Sequence, residues 1–206
     1  MRRLLSFHAL LVYLFLYLPI LVVVALSFNE SRRGVHFTGF TLKWYQGLFQ
    51  DPRVLEYFAN TLVVALVSTL VSTVLGTLLA LGLVRYRFPG KGFLRYLLYV
   101  PVVVPDVVMG VSLLLLFAFS RELLGFPRLS LLTVILGHIT FQVAFVTLVV
   151  RSRLLLLDPA LEEAARDLGA RGFQTFLHVT LPLAWPGVAA GALLALTLSL
   201  DDFVVT

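Results

Sequence analysis

Five apolar runs of about twenty residues dominate this sequence and decide what it can fold into. They lie at about residues 9–28, 61–84, 97–119, 129–150 and 186–200. A helix needs roughly 20 apolar residues to cross the hydrocarbon core of a bilayer, which is about 30 Å thick. We therefore predict an all-α, polytopic transmembrane helix bundle that forms a single membrane domain over residues 1–206.

Composition supports a membrane location and excludes several kinds of chemistry. Hydrophobic residues make up 60% of the chain and charged residues 13%, whereas a soluble domain has roughly twice that charged share. The lack of cysteine excludes disulfides, thiolate metal sites and cysteine nucleophiles. No histidine pair has the spacing of a helical zinc site, and no glycine-rich phosphate loop occurs. We expect no metal, cofactor or ATP to be bound by this chain itself.

The distribution of basic residues indicates the orientation. The net charge is +5, but the basic residues fall in short segments between apolar runs and form no dense patch for nucleic acid. The segment from Arg85 to Arg95 holds four basic residues and no acid. Because cytoplasmic loops are enriched in Lys and Arg, we place this segment and the N-terminus in the cytoplasm. The prediction is a multi-pass protein of the cell (inner) membrane.

Small residues on two of the runs predict close helix packing. One face of the second run carries a small residue every four positions, namely Ser68, Ser72, Gly76 and Ala80. The fifth run offers Gly187 and Gly191 at the same spacing. Small residues let helix backbones approach closely inside a membrane, although they are also common on lipid-facing helices. We prefer the helix bundle.

A mixed-charge stretch, residues 151–185, separates the fourth and fifth runs and is cytoplasmic in this orientation. Asp158 and Pro159 make a credible helix start, and Gly169 can end that helix in a left-handed cap. Between them, small or apolar residues recur at helical spacing and face a polar side: Leu161, Ala164, Ala165 and Leu168 against Glu162, Glu163, Arg166 and Asp167. A second amphipathic piece, residues 173–179, follows. Such a segment suits docking in a groove of another protein, or lying on the membrane surface.

One motif in residues 151–185, called the coupling segment below, resembles a known signature. Glu163-Ala164-Ala165, then Gly169 after three intervening residues, then Val179-Thr180-Leu181-Pro182 after nine more, is similar to the EAA signature of importer permeases of the ATP-binding cassette superfamily (type I, MetI-like). Val179 stands where that family usually has isoleucine. The resemblance implies a non-catalytic membrane subunit whose coupling helix contacts an ATP-binding subunit through Glu163, Ala164, Ala165, Asp167, Gly169, Leu181 and Pro182.

Further stretches are similar to one subfamily, the second permease of spermidine and putrescine importers. They are Ser27-Phe28-Asn29, residues 39–45, Arg85-Tyr86-Arg87-Phe88, residues 105–109 and residues 198–202. The resemblance implies partners: ATP-binding cassette subunits, a second permease in a heterodimer, an extracytoplasmic substrate-binding protein and the lipid bilayer. It also implies a chain truncated before its last transmembrane helix, because that family continues through a sixth span.

Polar residues near the ends of the apolar runs suit a cationic substrate. Asp106 lies in the third run, where an uncompensated carboxylate costs several kcal/mol, and Pro101 and Pro105 can break the helix beside it. A polyamine path needs spaced carboxylates with aromatic faces for cation-π contact. We assign this path to Trp44, Asp106, Ser199, Asp201 and Asp202. Structural ion pairing of Asp106, interfacial placement of Asp201 and Asp202, and an aromatic belt at Trp44 remain alternatives.

Other functions are compatible with parts of the sequence. The same architecture could import ferric ion, sulfate or another anion, and an arginine-lined path would favour anions. An intramembrane hydrolase would need a nucleophile and a base together, such as Ser112, Ser130 or Ser199 with His138, but no motif supports it. A scaffold without a transport role has no need for a coupling helix.

Overall fold

The computed structural model describes residues 2–31, 36–125, 127–202 and 205, and the described residues form helices joined by short turns. The elements are α1 (Arg2–Ser27), α2 (Lys43–Gln50), α3 (Pro52–Arg85), α4 (Lys91–Leu97), α5 (Val100–Val103), α6 (Asp106–Leu124), α7 (Leu131–Leu154), α8 (Ala160–Asp167), α9 (Gly172–Thr175), a π-helical turn (Phe176–Thr180) and α10 (Leu181–Asp201). Within the described residues no strand occurs; Asn29 and Phe40 form an isolated bridge.

Five helical stretches of the described chain have the length and apolar character to cross a membrane. They are Leu4–Ser27, Pro52–Arg85, Asp106–Leu124, Leu131–Leu154 and Gly172–Asp201. The predicted all-α, polytopic helix bundle is confirmed. The second span begins nine residues before its predicted start at residue 61, because Pro52 suits the first helical position and polar residues can extend a helix beyond the bilayer.

The third predicted span, residues 97–119, is not continuous. The chain leaves the helix at Val104, whose ψ is 131°, and α6 starts at Asp106. Pro105 forces this break because it restricts the preceding residue to extended backbone. Asp106 is therefore the first residue of α6.

The core of residues 59–206 lies where α3, α7 and α10 meet. A Cβ atom on Gly76 would come within 2.7 Å of Val146, and one on Gly187 within 2.5 Å of the Cβ atom of Arg153. Val146 also lies 3.3 Å from the Cβ position of Gly191. The predicted small-residue faces therefore are the packing faces, and Ser68, Ser72 and Ala80 are fully buried there. Backbones approach this closely only where no side chain separates them.

Residues 1–58 form a separate compact unit. Buried Asn29 organises its loop: its side-chain amide donates to the His36 carbonyl (2.6 Å), and its side-chain oxygen accepts the Thr38 amide (2.9 Å). Phe28 stacks on Phe40 and Tyr45 with centroids 5.4 and 5.3 Å away. These contacts fold the turn between α1 and α2.

The coupling segment is helical with one tight turn. The side chain of Asp158 accepts the Ala160 amide (3.0 Å) at the start of α8. Gly169 then has φ of +90°, and the amides of Gly169 and Ala170 donate to the carbonyls of Arg166 and Ala165. This is a Schellman ending, which glycine permits without steric cost. After it, the predicted second piece is not a separate helix: α9 and the π-helical turn run directly into α10.

Candidate functional sites: the coupling segment and an acidic cavity

The coupling segment exposes apolar side chains beside its charged ones. Leu168, next to the Schellman glycine, is 90% exposed, and Phe173 is also exposed. Glu163 and Ala164 of the signature are exposed on α8, and Ala165 is half-buried. Exposed apolar residues with a charged rim are typical of a protein-binding surface. The surface suits a partner that buries Leu168 and Phe173.

The acid that α8 turns inward is Glu162, which is only 9% exposed. Its Oε1 atom accepts a hydrogen bond from Arg85 Nη2 at the end of α3 (2.7 Å) and another from the Thr180 hydroxyl (2.8 Å). Arg166 Nη2 lies 3.6 Å from the other carboxylate oxygen. The sequence predicts Glu162 only as part of the polar face of α8. No local pattern distinguishes it from the exposed Glu163, since its neighbour Leu161 is itself 48% exposed.

The last residues of the signature lead into α10. Leu181 is half-buried and packs against the core that includes Ala80 and Val150. Pro182 is the second residue of α10 and follows the π-helical turn directly. Thr180, between the signature's valine and leucine, is buried and supplies its hydroxyl to Glu162. The signature thus joins the coupling segment to the fifth span.

A cavity of about 170 Å³ at the end of α10 brings together three of the predicted pathway residues. The residues that line it include Asp106, Asp201 and Asp202. Phe141 and Phe145 from α7 line it as well, together with Pro101, Met109, Leu198 and Val205. The described lining therefore carries three acids, two aromatic rings and no basic residue. The two phenylalanines were missed because a phenylalanine in an apolar span gives no sign of facing a cavity.

Ser199 lies behind this cavity in a buried hydrogen-bond network. Its hydroxyl is 2.7 Å from His138 Nδ1 and 3.5 Å from the Ser68 hydroxyl, and His138 Nε2 is 3.3 Å from Asp202 Oδ2. His138 is completely buried and Ser199 nearly so. A serine nucleophile must reach its substrate, so this burial does not favour the hydrolase alternative. The network instead links α3, α7 and α10 to Asp202.

The buried side-chain amide of Gln142 connects the same three helices, one helical turn after His138. Gln142 donates to the Ala195 carbonyl (3.1 Å) and accepts from the Ser72 hydroxyl (3.1 Å). Polar side chains between membrane helices contribute about 0.6 kcal/mol each on average. Together the two networks hold the cavity end of α10 in register with α7.

Trp44 lies in the unit of residues 1–58. Its indole N–H donates to the Asn29 carbonyl (2.9 Å), and Lys43 Nζ lies 4.9 Å from its ring centroid. Both interactions are local, and the side chain is 40% exposed. These contacts indicate that Trp44 holds the loop around Asn29 in place.

The comparison with protein families decides what kind of protein this is. The family described as the binding-protein-dependent transport system inner membrane component matches residues 72–206. The chain belongs to this permease family. The matched region contains the acidic cavity and the whole coupling segment.

Curated relatives agree with this assignment of the permease. It is 44% identical over 195 residues to the spermidine/putrescine transport system permease protein PotC of Escherichia coli (strain K12), covering 95% of this chain and 72% of the relative. It is 41% identical over 198 residues to the putrescine transport system permease protein PotI of the same organism, with 95% and 70% covered. PotC of Haemophilus influenzae is 39% identical, with 95% and 74% covered.

Solved structures share the fold of the permease. A bacterial ABC transporter involved in the import of the acidic polysaccharide alginate matches 99% of this chain and 79% of the other with a TM-score of 0.74 at 18% identity. The alginate transporter in complex with its periplasmic protein matches with a TM-score of 0.71 at 20% identity, covering 94% and 72%. The predicted fold of an ATP-binding cassette importer permease is confirmed.

In the described part of the permease, no group of three or more His, Asp or Glu side chains is arranged to hold a metal ion.

Proposed function

We propose that this permease is one membrane subunit of an ATP-driven importer of polyamines such as spermidine and putrescine. The observation that carries the proposal is the cavity lined by Asp106, Asp201 and Asp202 with Phe141 and Phe145. A polyamine carries ammonium groups separated by methylene chains. Carboxylates attract the ammonium groups, and aromatic rings contact both the methylenes and the charge. The names of the relatives that are 39–44% identical support the same substrate class.

The remaining parts follow from the family architecture. The permease pairs with a second permease, receives substrate from an extracytoplasmic binding protein and is driven by ATP-binding subunits that dock on the exposed residues of the coupling segment. The N-terminus and the coupling segment lie in the cytoplasm. Glu163, Ala164 and Asp167 meet the ATP-binding subunit, while Gly169, Leu181 and Pro182 shape the segment that carries them. Ala165 packs behind this surface.

Two predicted pathway residues act indirectly in this proposal. Ser199 is buried against His138 and keeps the network behind Asp202 in order. Trp44 keeps the loop around Asn29 folded. The three acids and two phenylalanines then make the direct contacts with substrate.

Uptake measurements test the proposal. The gene is expressed with its partner subunits in cells that lack a polyamine importer, and uptake of labelled spermidine and putrescine is measured. We expect ATP-dependent uptake that is weakened in Asp106→Asn through a higher KM and unchanged in Glu122→Gln, an exposed acid on the same helix α6. An assembled wild-type complex that takes up neither amine would refute the substrate assignment.

A further inference from the structure

We infer that Glu162 is the positioning residue that passes movement of the coupling segment to α3 and α10. This inference rests on the proposed function, since it concerns how ATP-driven motion reaches the acidic cavity. It assigns the role to the buried acid beside the signature and leaves the exposed Glu163 for the partner subunit.

The carboxylate of Glu162 connects three elements of the fold. Glu162 belongs to α8, Arg85 is the last residue of α3, and Thr180 is the residue before α10. Both donors reach the same oxygen, Glu162 Oε1, at 2.7 and 2.8 Å. Three elements that are distant in sequence are therefore tied at one atom.

The burial of this group makes the connection stiff. Hydrogen bonds to an ionised partner are shorter and about twice as strong as neutral ones. Breaking a buried ion pair by separating one partner leaves an uncompensated charge, which is strongly unfavourable. Glu162 is 9% exposed and the Arg85 side chain 22% exposed, so water replaces their contacts poorly. A displacement of α8 therefore carries α3 and α10 with it.

α10 lines the acidic cavity at its far end, and α3 contacts that end of α10. α10 runs from Leu181, directly after Thr180, to Asp201, which lines the cavity, and α3 contacts the far end of α10 through Ser68 and Ser199. The π-helical turn that ends at Thr180 interrupts the regular α-helical hydrogen bonding between α9 and α10. Since π-helical turns often mark functional positions, the tie from Glu162 across this turn provides a path that does not depend on the backbone.

The test measures how accessible the acidic cavity is to a labelling reagent, so it does not depend on which solute the permease carries. The chain has no native cysteine, so Met109→Cys in the cavity wall becomes a single reporter when the partner subunits are cysteine-free. Its labelling by a thiol reagent is measured in the assembled complex with and without ATP, alongside ATP hydrolysis. We expect Glu162→Gln to reduce the ATP-dependent change in labelling by roughly threefold to thirtyfold, with hydrolysis retained within about twofold.

Matched variants separate positioning from general destabilisation. Arg85→Gln should behave like Glu162→Gln, whereas Arg87→Gln, an exposed arginine two residues on, should behave like the wild type. Thr180→Val removes the hydroxyl at constant shape and should weaken the response, while Thr180→Ser restores it. The exchange Arg85→Glu with Glu162→Arg should recover part of the response that either single exchange loses.

The outcomes distinguish this inference from the proposed function. If ATP does not change labelling in the otherwise wild-type complex, the proposed ATP-driven role fails. If the wild type responds and Glu162→Gln, Arg85→Gln and Thr180→Val respond equally, the positioning role of Glu162 is overturned. If hydrolysis falls together with labelling in each variant, Glu162 serves partner docking and the inference is likewise overturned.

Discussion

Carboxylates lie beside both ends of α10 in opposite surroundings. Glu162 of α8, beside the start of α10, is buried and accepts hydrogen bonds from an arginine and a threonine. Asp106 and Asp201, at the other end, are exposed on the wall of a cavity whose described lining holds no basic residue. A buried acid with cationic partners stabilises one arrangement of helices, whereas acids around an open space are available to a cation from outside. The surroundings of a carboxylate thus indicate its task better than its position in a motif.

The largest change in unfolding free energy should come from forcing α7 and α10 apart. Gly187→Val would place its Cβ atom about 2.5 Å from that of Arg153, so α7 and α10 must move apart. We expect a loss of about 3 kcal/mol in unfolding free energy, measured by denaturation in detergent. Gly82→Ala is the control, because nothing lies within 4 Å of its Cβ position. Equal stability of the two variants would contradict the close packing.

Removing charge from the cavity should affect transport without affecting folding. In Asp106→Asn with Asp201→Asn, both exposed acids lose their charge while the packing of α6 and α10 stays the same. Charge-assisted hydrogen bonds contribute about 1.5–3 kcal/mol, so we expect the KM for spermidine uptake to rise about 100-fold at an unchanged unfolding midpoint. A lowered midpoint would show that these acids stabilise the fold, as Glu162 does, and would remove the contrast.

Asp202 lines the cavity and also contacts the buried His138, so substituting His138 tests whether Asp202 contributes both to stability and to transport. His138→Ala removes the ring that lies between Ser199 and Asp202 and leaves buried polar groups without it. We expect a stability loss of about 2 kcal/mol, together with weaker uptake. His8→Ala, an exposed histidine on α1, is the control. An unchanged unfolding midpoint in His138→Ala would mean that the network does not hold α7 against α10.

The smallest change in stability should come from substituting Arg166, the exposed partner of Glu162. Arg166 is 59% exposed and its Nη2 atom is 3.6 Å from the carboxylate. Exposed ion pairs contribute about 0–1 kcal/mol, so Arg166→Gln should lower stability by about 0.5 kcal/mol or less. Chemical denaturation of Arg166→Gln beside Arg85→Gln measures the difference. A larger loss from Arg166→Gln would mean that the exposed arginine is the main partner of Glu162.

Much of the fold followed from local sequence features. Five apolar runs predicted five membrane helices, Pro105 predicted the break beside Asp106, and Gly169 predicted the left-handed end of α8. These features act over a few residues, so no knowledge of the neighbours was needed. The continuation of α9 through the π-helical turn into α10 was not foreseen, because Pro182 and Pro186 resemble helix breakers until a packed neighbour accommodates them. Arg153 Nε, for example, donates to the carbonyl of Leu183, the residue after Pro182 (3.1 Å).

The candidate sites divide in the same way. The amino-acid sequence alone predicts a membrane location, the resemblance of residues 163–182 to a coupling helix, and a set of acids that suits a cation, because length, spacing and charge are local properties. The packed fold was needed to show that Asp106, Asp201 and Asp202 share one cavity with Phe141 and Phe145, and that Glu162 faces Arg85 and Thr180. A contact such as that between Arg85 and Glu162, which are 77 positions apart, depends on how the helices pack, and no local pattern along the chain records it.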